Sequence, residues 1–239
     1  MIDLHCHLLP GIDDGASSME EALSLARIAA DDGITHMVLT PHVHPGRYNN
    51  NVQSIKPIFE QFQTALVEND INLSVKAAGE VRLSAEVLAM FANNQLPFLG
   101  VWEDKKVMLL ELPHSHVPPG SEKLVKWLLD RGVLPMIAHP ERNKGIMSDV
   151  TKLTPFIELG CLFQLTAMSV SGGFGVEAKR LSDQMLMNGW VTIIASDGHN
   201  SDHRPPVLSK AVSAAAELIG DVEARRLVWG NPARIIGVY

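Results

Sequence analysis

Residues 2–8 read Ile2-Asp3-Leu4-His5-Cys6-His7-Leu8, a short apolar-rich run closed by Pro10-Gly11, which is the pattern of a β-strand. Alternate residues of a strand share a face, so His5 and His7 point together while Cys6 points away. Six more runs of this kind follow, at His36–His42, Val75–Val81, Val107–Leu112, Leu134–His139, Cys161–Ala167 and Val191–Ser196. Between them lie stretches with helical spacing. The clearest is Glu20–Asp31, where Ala22, Leu25, Ala26 and Ala29 recur every three or four residues. Ser18-Met-Glu-Glu21 reads as its capping box and Gly33 as its stop. Further helices are expected at Val52–Glu68, Ser84–Ala92, Glu122–Asp130, Val150–Glu158, Val176–Asn188 and Leu208–Leu218. Strands that alternate with helices pair in parallel through right-handed crossovers. The expectation is an α/β chain of one domain, with a near-barrel of seven strands preferred to an open doubly wound sheet.

The chain has 239 residues, within the range of α/β barrels that form one domain. Hydrophobic residues at 46% and charged residues at 20% exclude a disordered or fibrous chain. A formal net charge of −7 argues against a sequence-independent hold on nucleic acid, and 5% aromatics against base-stacking platforms. Apolar runs all fall short of the roughly 18 residues that a membrane-spanning helix needs. Met1 leads directly into the first strand, and Cys6 and Cys161 cannot build a disulfide framework. A cytoplasmic protein without membrane insertion is therefore expected.

The informative feature is where the ligand-type residues fall. His5 and His7 end the first run, His42 the second, Glu80 the third, Glu111 the fourth and His139 the fifth, while Asp197 and His199 follow the seventh. In parallel α/β folds the C-terminal strand ends share one face, and active sites form there. Asp13-Asp14, in the glycine-flanked loop after the first run, can add a carboxylate. Singly, each residue has an ordinary reading. A histidine at a strand end is often solvated, and a lone Glu80 or Glu111 is often a surface charge or a helix cap. Six of seven strand ends bearing His, Asp or Glu point instead to one shared metal site. Imidazole and carboxylate without thiolate suit Zn²⁺, Mn²⁺ or Fe²⁺. Nine ligands exceed what one tetrahedral ion takes and suit two or three ions.

His5-Cys-His7, Pro10-Gly-Ile-Asp-Asp14-Gly-Ala, Thr40-Pro-His42, His139-Pro-Glu-Arg142 and Ser196-Asp197-Gly-His199 resemble the PHP (polymerase and histidinol phosphatase) superfamily. Pro10–Ala16, Gly46-Arg-Tyr-Asn49, Ser171–Gly175 and the Arg204-Pro segment are similar to its bacterial CpsB/YwqE-type tyrosine phosphatases. The resemblance implies a PHP-type distorted (β/α)7 barrel holding three divalent metal ions, usually manganese. It places the ligands on His5, His7, Asp14, His42, Glu80, Glu111, His139, Asp197 and His199, with Glu80 bridging. It places phosphate-binding arginines on Arg142 and Arg204. The implied activity is metal-dependent hydrolysis of phosphotyrosine on a bacterial tyrosine kinase, at its C-terminal tail, in the control of capsule or exopolysaccharide export. A homo-oligomer is allowed. On that reading four carboxylates against three divalent ions would leave the site at about +2, a charge that a phosphate dianion would neutralise, and the ions would supply an activated water for attack on phosphorus. Gln164 and Ser171-Gly-Gly173 depart from the family pattern, where an Asn and a basic residue are expected, and the Pro113–Pro119 loop is unusual.

A cysteine phosphatase would need Cys-x₅-Arg, but the sixth residue after Cys6 is Ile12 and after Cys161 is Ala167. Cys6 is read as core filling, Asp13 as holding its loop, and His36 as structural. His44, His114, His116 and His203 flank the pocket loops, and Arg47 and Tyr48 either line the entrance or cap their loop. Two other readings stand beside the phosphatase: a PHP phosphoesterase acting on a small phosphate such as histidinol phosphate or a nucleotide, and a non-catalytic metal-binding regulatory module.

Overall fold

The first run forms strand β1 (Ile2–Cys6), buried along its whole length. The computed structural model, which describes residues 1–238, continues with β2 (His36–Leu39), β3 (His42–Val43), β4 (Ser74–Ala77) and β5 (Glu80–Arg82). Then follow β6 (Gly100–Trp102), β7 (Lys105–Glu111), β8 (Val133–Ala138), β9 (Leu162–Thr166) and β10 (Ile193–Ala195). They form two sheets, β1-β2-β4 and β10-β9-β8-β7-β5-β3, with β6 added beside β7. All pairs are parallel except β6–β7, so the fold is mixed α/β with parallel sheets.

Two of the expected strands are broken. The second stops before Thr40-Pro41 and the third before Ala78-Gly79. Pro41 has no N–H to give a ladder, and the chain bends there. His42 and Glu80 therefore open short new strands rather than closing old ones, and they pair with each other across β3 and β5. β6 is a strand that the periodicity does not show. It joins β7 through Glu103-Asp104, both at positive φ (49° and 65°), a tight hairpin turn.

The helix Met19–Asp31 begins one residue before the expected start. Ser18 Oγ accepts from Glu21 N at 3.2 Å, but the Glu21 carboxylate turns to Ser17 N and Oγ, so only half of the capping box forms. Gly33, at φ +86°, ends the helix as expected. The helix Val52–Glu68 matches its expected bounds, whereas Val150–Glu158 divides into a 3₁₀ turn, Val150–Leu153, and a helix, Thr154–Glu158. Beyond Ser209–Ile219 lie two short helices absent from the sequence reading, Asp221–Arg225 and Asn231–Ile236. No helix among the described residues is long and apolar enough to cross a membrane.

Strand parity sorts the apolar residues into two layers. Met108, Leu110 and Ile137 pack with the helices, whereas Val107, Leu109, Leu134 and Met136 face the other way, into a second cluster. Ala233, Ile235 and Ile236 of the last helix join that second cluster. Following the same alternation upward, Leu109 leads to Glu111, Leu162 to Gln164, Ala78 to Glu80 and Ala195 to Asp197. Apolar side chains thus give way to ligand-type ones at the C-terminal ends. β1 reaches this arrangement through a bulge between Asp3 and Cys6, which leaves Cys6 in the helix-facing layer while Leu4 stays in the inner one.

The last helix docks on Gly100, where a Cβ would lie 2.0 Å from Ile235 O. Gly100→Ala should destabilise the fold by about 1–3 kcal/mol, read as a fall in Tm of several degrees. An unchanged Tm would show that the C-terminal helix is not seated there.

Candidate metal centre

Buried Asp3 fastens the first strand to the last. Its carboxylate accepts from His5 N at 3.2 Å, Ser196 N at 3.0 Å and Ser196 Oγ, while burial pushes its pKa up to about 6. Asp197 N donates to His5 O and His7 N to Gly198 O, both at 2.8 Å. The ligand-type residues at the two ends of the sequence are thereby brought side by side.

Four groups of donors gather there, each with ligand atoms within 4.8 Å of one another: His7, Asp14, His42 and His199; His5, His7 and Glu80; His5, His139 and Asp197; and His42, Glu80 and Glu111. Together they contain all nine residues singled out from sequence and, among the described residues, no others. Glu80 lies amid the cluster. His139 Nε2 is 2.7 Å and His5 Nε2 3.5 Å from its Oε1, and His42 Nδ1 is 2.8 Å and His7 Nε2 3.6 Å from its Oε2. Asp197 Oδ1 lies 3.4 Å from both His5 Nε2 and His7 Nε2. Asp14 Oδ1 stands at the open side, 3.2 Å from His42 Nε2.

These residues fit divalent cations. Glu80 Oε2 is buried with no hydrogen-bond donor aligned to it. His5 Nε2 and His7 Nε2 face each other at 3.2 Å, where at most one proton can sit between two lone-pair positions. Their Nδ1 atoms are held from behind: His5 by Gln164 Oε1 at 3.0 Å, His7 by Asp13 Oδ2 at 2.7 Å. Partners of this kind fix the ring and aim the other nitrogen at a metal. Asp13 also accepts from His42 N and Gly15 N, so it ties the loop to both ligands without joining a donor group.

Electrostatics agree. Burial opposes charge on His5, but Glu80 and Asp197 outweigh it and carry its pKa to about 9. Burial likewise opposes charge on His42, yet Glu80 and Asp14 carry it to about 11. His199 goes the other way: burial and the neighbouring His7 hold it down at about 3, a neutral donor. Burial works against charge on Glu80 and Asp197 too, but the surrounding imidazoles, joined at Asp197 by arginines, keep both acids well below the usual carboxylate range. The cluster draws positive charge, and protons and metal ions compete for the same nitrogens. Metal affinity must therefore fall on acidification.

Arg142 and Arg204 both pair with Asp197 Oδ2, the latter at 2.6 Å. Their guanidiniums lie 4.5 Å and 5.9 Å from the centre of the Phe174 ring. Phe174 has no role in the sequence analysis; its signal there is its place in Ser171–Gly175, one of the segments that carry the family resemblance. The centre opens into a cavity of about 260 Å³, lined by His44, Arg47, Tyr48, Arg82 and His114 besides the ligands and arginines. Tyr48 stacks on His42 at 5.5 Å and lies under Arg47 at 4.9 Å. His116 and His203 do not line the cavity, and Glu111 is paired with Arg82 at 2.9 Å. Both thiols are buried, and burial raises their pKa, to about 12 at Cys161; neither offers a reactive thiolate.

A parallel α/β scaffold with imidazoles and carboxylates massed at its strand ends, and arginines beside them, has the donor set of a metal-binding protein with room for an anion. The chain belongs to the CpsB/CapC family of capsular polysaccharide synthesis, whose model matches residues 1–237. It is 37% identical to the tyrosine-protein phosphatase YwqE of Bacillus subtilis over 200 residues, 84% of this chain and 78% of that protein. It is 27% identical to the tyrosine-protein phosphatase CpsB of Streptococcus pneumoniae over 99% of this chain and 98% of that one. A chain from the crystal structures of YwqE and CpsB, metal-dependent tyrosine phosphatases, matches with a TM-score of 0.91 at 32% identity, covering 100% of this chain and 96% of its own.

Asp13→Ala should leave the fold intact but weaken metal binding about 10- to 100-fold, because His7 loses its orienting partner. Metal titration of the variant checks this, and repeating it at lower pH should weaken both proteins. Unchanged affinity in the variant would remove Asp13 from the centre.

Proposed function

We propose that this protein is a metal-dependent protein-tyrosine phosphatase. The observation that carries the reading is the meeting of Arg142 and Arg204 at Asp197, inside a ring of nine imidazole and carboxylate donors, in a chain of this family. His5, His7, Asp14, His42, Glu80, Glu111, His139, Asp197 and His199 would hold the ions, with Glu80 as the bridge. Three ions suit the four donor groups, which share His5, His7, His42 and Glu80, and manganese suits their mix of nitrogen and oxygen. When bound, such ions activate water as a nucleophile and draw charge from phosphoryl oxygens.

The chain's own residues would do the rest. Arg142 and Arg204 offer planar, bidentate donors to the equatorial oxygens of the phosphoryl group. Both already reach the centre, and the Phe174 ring supports them from one side. Tyr48, stacked over His42 and covered by Arg47 at the cavity wall, would border an entering phenyl ring with an aromatic edge. The substrate is read as phosphotyrosine in protein, at the C-terminal tail of a bacterial tyrosine kinase that governs capsule or exopolysaccharide export. The two sheets are read as one distorted (β/α)7 barrel and one domain, supported by the backbone bonds between β1 and the segment after β10. Two unpaired, buried cysteines support a reducing, cytoplasmic setting.

A substrate panel tests the assignment. Phosphotyrosine peptide should be turned over in preference to phosphoserine peptide and histidinol phosphate, and chelation should abolish turnover until Mn²⁺ is restored. Full activity without metal would overturn the reading.

Glu80→Gln should lower metal content and turnover together, whereas Glu86→Ala, exposed on the next helix, should change neither. Equal tolerance at both positions would show the centre to be elsewhere.

Arg142→Lys and Arg204→Lys should each lower kcat/KM about 10- to 150-fold, the worth of charge-assisted hydrogen bonds, with metal content unchanged. Loss of metal or of folding in both would make the arginines structural partners of Asp197 instead.

A further inference from the structure

The metal centre is not the largest cavity in the molecule. A second, of about 700 Å³, lies between the two sheets on the side where β4 pairs only with β2 and β7 only with β5, β6 and β8. Among the described residues no strand pairs with both β4 and β7, and the helix Val52–Glu68 and residues 96–98 line the gap. A volume of this size is that of a small-molecule site, which typically spans about 300–1,000 Å³.

The walls state what would fit. Ile55, Phe59, Phe91 and Phe98 supply an apolar and aromatic lining. Lys56, Lys106 and Arg131 stand around it, with Asp104 as the one acid of the lining. Lys106 Nζ lies 5.2 Å from the Phe98 ring centre, and Arg131 lies over Trp127 at 4.0 Å. Neither pairs with a carboxylate among the described residues, whereas Lys56 is 3.8 Å from Glu60. On a chain of net charge −7, three cations around a phenylalanine-lined cavity are a local reversal of sign.

The cavity also touches the link that leads into β5, the strand that carries Glu80. Ala78 and Pro97 are part of its wall. Between Ala78 and Glu80, Gly79 has no room for a side chain: a Cβ would lie 2.6 Å from Pro97 Cγ and 2.7 Å from Val43 Cγ2. Val43 follows His42, and Glu80 N donates to Pro41 O at 3.0 Å. Whatever fixes Pro97 and Ala78 therefore bears directly on two of the residues that gather at the centre.

We propose that this cavity binds an amphipathic organic anion, an aromatic or acyl body with one carboxylate, sulfonate or phosphate head, and that its occupancy is linked to metal binding through the Pro97–Gly79 contact. The body fills the phenylalanine-lined space while Lys106 and Arg131 receive the head. The link is reciprocal, as any coupling between two binding equilibria must be. The site stands apart from the phosphatase assignment, since neither its lining nor its ligand takes part in phosphoryl transfer.

The probe is 8-anilinonaphthalene-1-sulfonate, titrated by fluorescence into the folded, manganese-loaded protein. One saturable site is expected. Lys106→Glu and Arg131→Glu should each weaken it about tenfold or more, through loss of a charge-assisted contact, and Lys106→Arg should restore most of the affinity. N-phenyl-1-naphthylamine, which lacks the sulfonate, should bind about tenfold more weakly for the same reason. Inorganic phosphate, a head without a body, should at most weaken the probe and not exclude it. Removal of the metal should change the probe's Kd at least threefold; an unchanged Kd would break the link to the centre. Exclusion of the probe by phosphate, indifference to both charge reversals in variants of unchanged Tm, or equal binding of the neutral compound would overturn the site itself.

Discussion

Glu80 is a carboxylate with 1% of its surface exposed, and a buried negative charge must be compensated by positive charge close at hand. Uncompensated, it would cost several kcal/mol even after relaxation. Four imidazoles surround it, and none carries a fixed charge. The compensation must therefore come from something the imidazoles bind: divalent cations, or protons, which the neighbouring carboxylates hold on His5 and His42 by raising their pKa to about 9 and 11. The apolar layer beneath and the buried strand β1 keep water out and make the demand acute. Asp197 adds to it, and Arg142 and Arg204 answer it in part from the open side. A cluster so arranged holds cations at its base and keeps guanidiniums at its rim, which is the order of charges that an entering phosphate dianion would meet.

How far the sequence exposes this depends on the range over which each cause acts. Parity along a strand is local, so the pairing of His5 with His7 and the turning away of Cys6 are legible from seven residues. The helix Val52–Glu68 is likewise written in its own periodicity. Features set by contacts between distant segments are not. Pro41 marks one break locally, but that His42 and Glu80 then pair across β3 and β5, with Gly79 passing between Pro97 and Val43, is set by contacts between distant segments. The antiparallel β6 is three residues long, and the helices Asp221–Arg225 and Asn231–Ile236 are five and six, too short to display a period. Glu21 deserts its capping box because Ser17 offers two donors where Ser18 offers one.

The site shows the same division. Eight of its nine ligand-type residues are legible because they stand at or just past the end of an apolar run, an anomaly visible in one dimension, whereas Asp14, in the loop after the first run, is singled out from Asp13 only by the family resemblance. The residues that aim them are not. Gln164 reads as a departure from a family pattern, yet its Oε1 receives both His5 Nδ1 and the backbone N–H of His139, at 3.0 and 3.1 Å. It holds one ligand by its ring and another by its backbone. Phe174 lies about thirty residues from each arginine that it supports, so no window of sequence connects them.

Two of the ligand-type residues bear a cost in the backbone. His139 sits at φ 32° and Asp197 at φ 53°, in the left-handed region that side chains with a Cβ avoid. Such positions cost on the order of 1–3 kcal/mol each and persist only where surrounding structure imposes them. At His139 the imposition comes from β8, whose last residue is already paired to Gln164, and from the turn Pro140–Arg142 that follows. At Asp197 it comes from Asp3, which grips Ser196, and from the bonds between Asp197, Gly198 and β1. In both places the strand ends one residue or two before the ligand; at His139, which follows inward-facing Ala138 and would by alternation face the other way, the left-handed turn brings the side chain back to the inner face. The stability that the packed sheets supply is thus partly spent in forcing His139 and Asp197 toward Glu80, and the same turn at His139 delivers Arg142, three residues later, above the donors it helps to form.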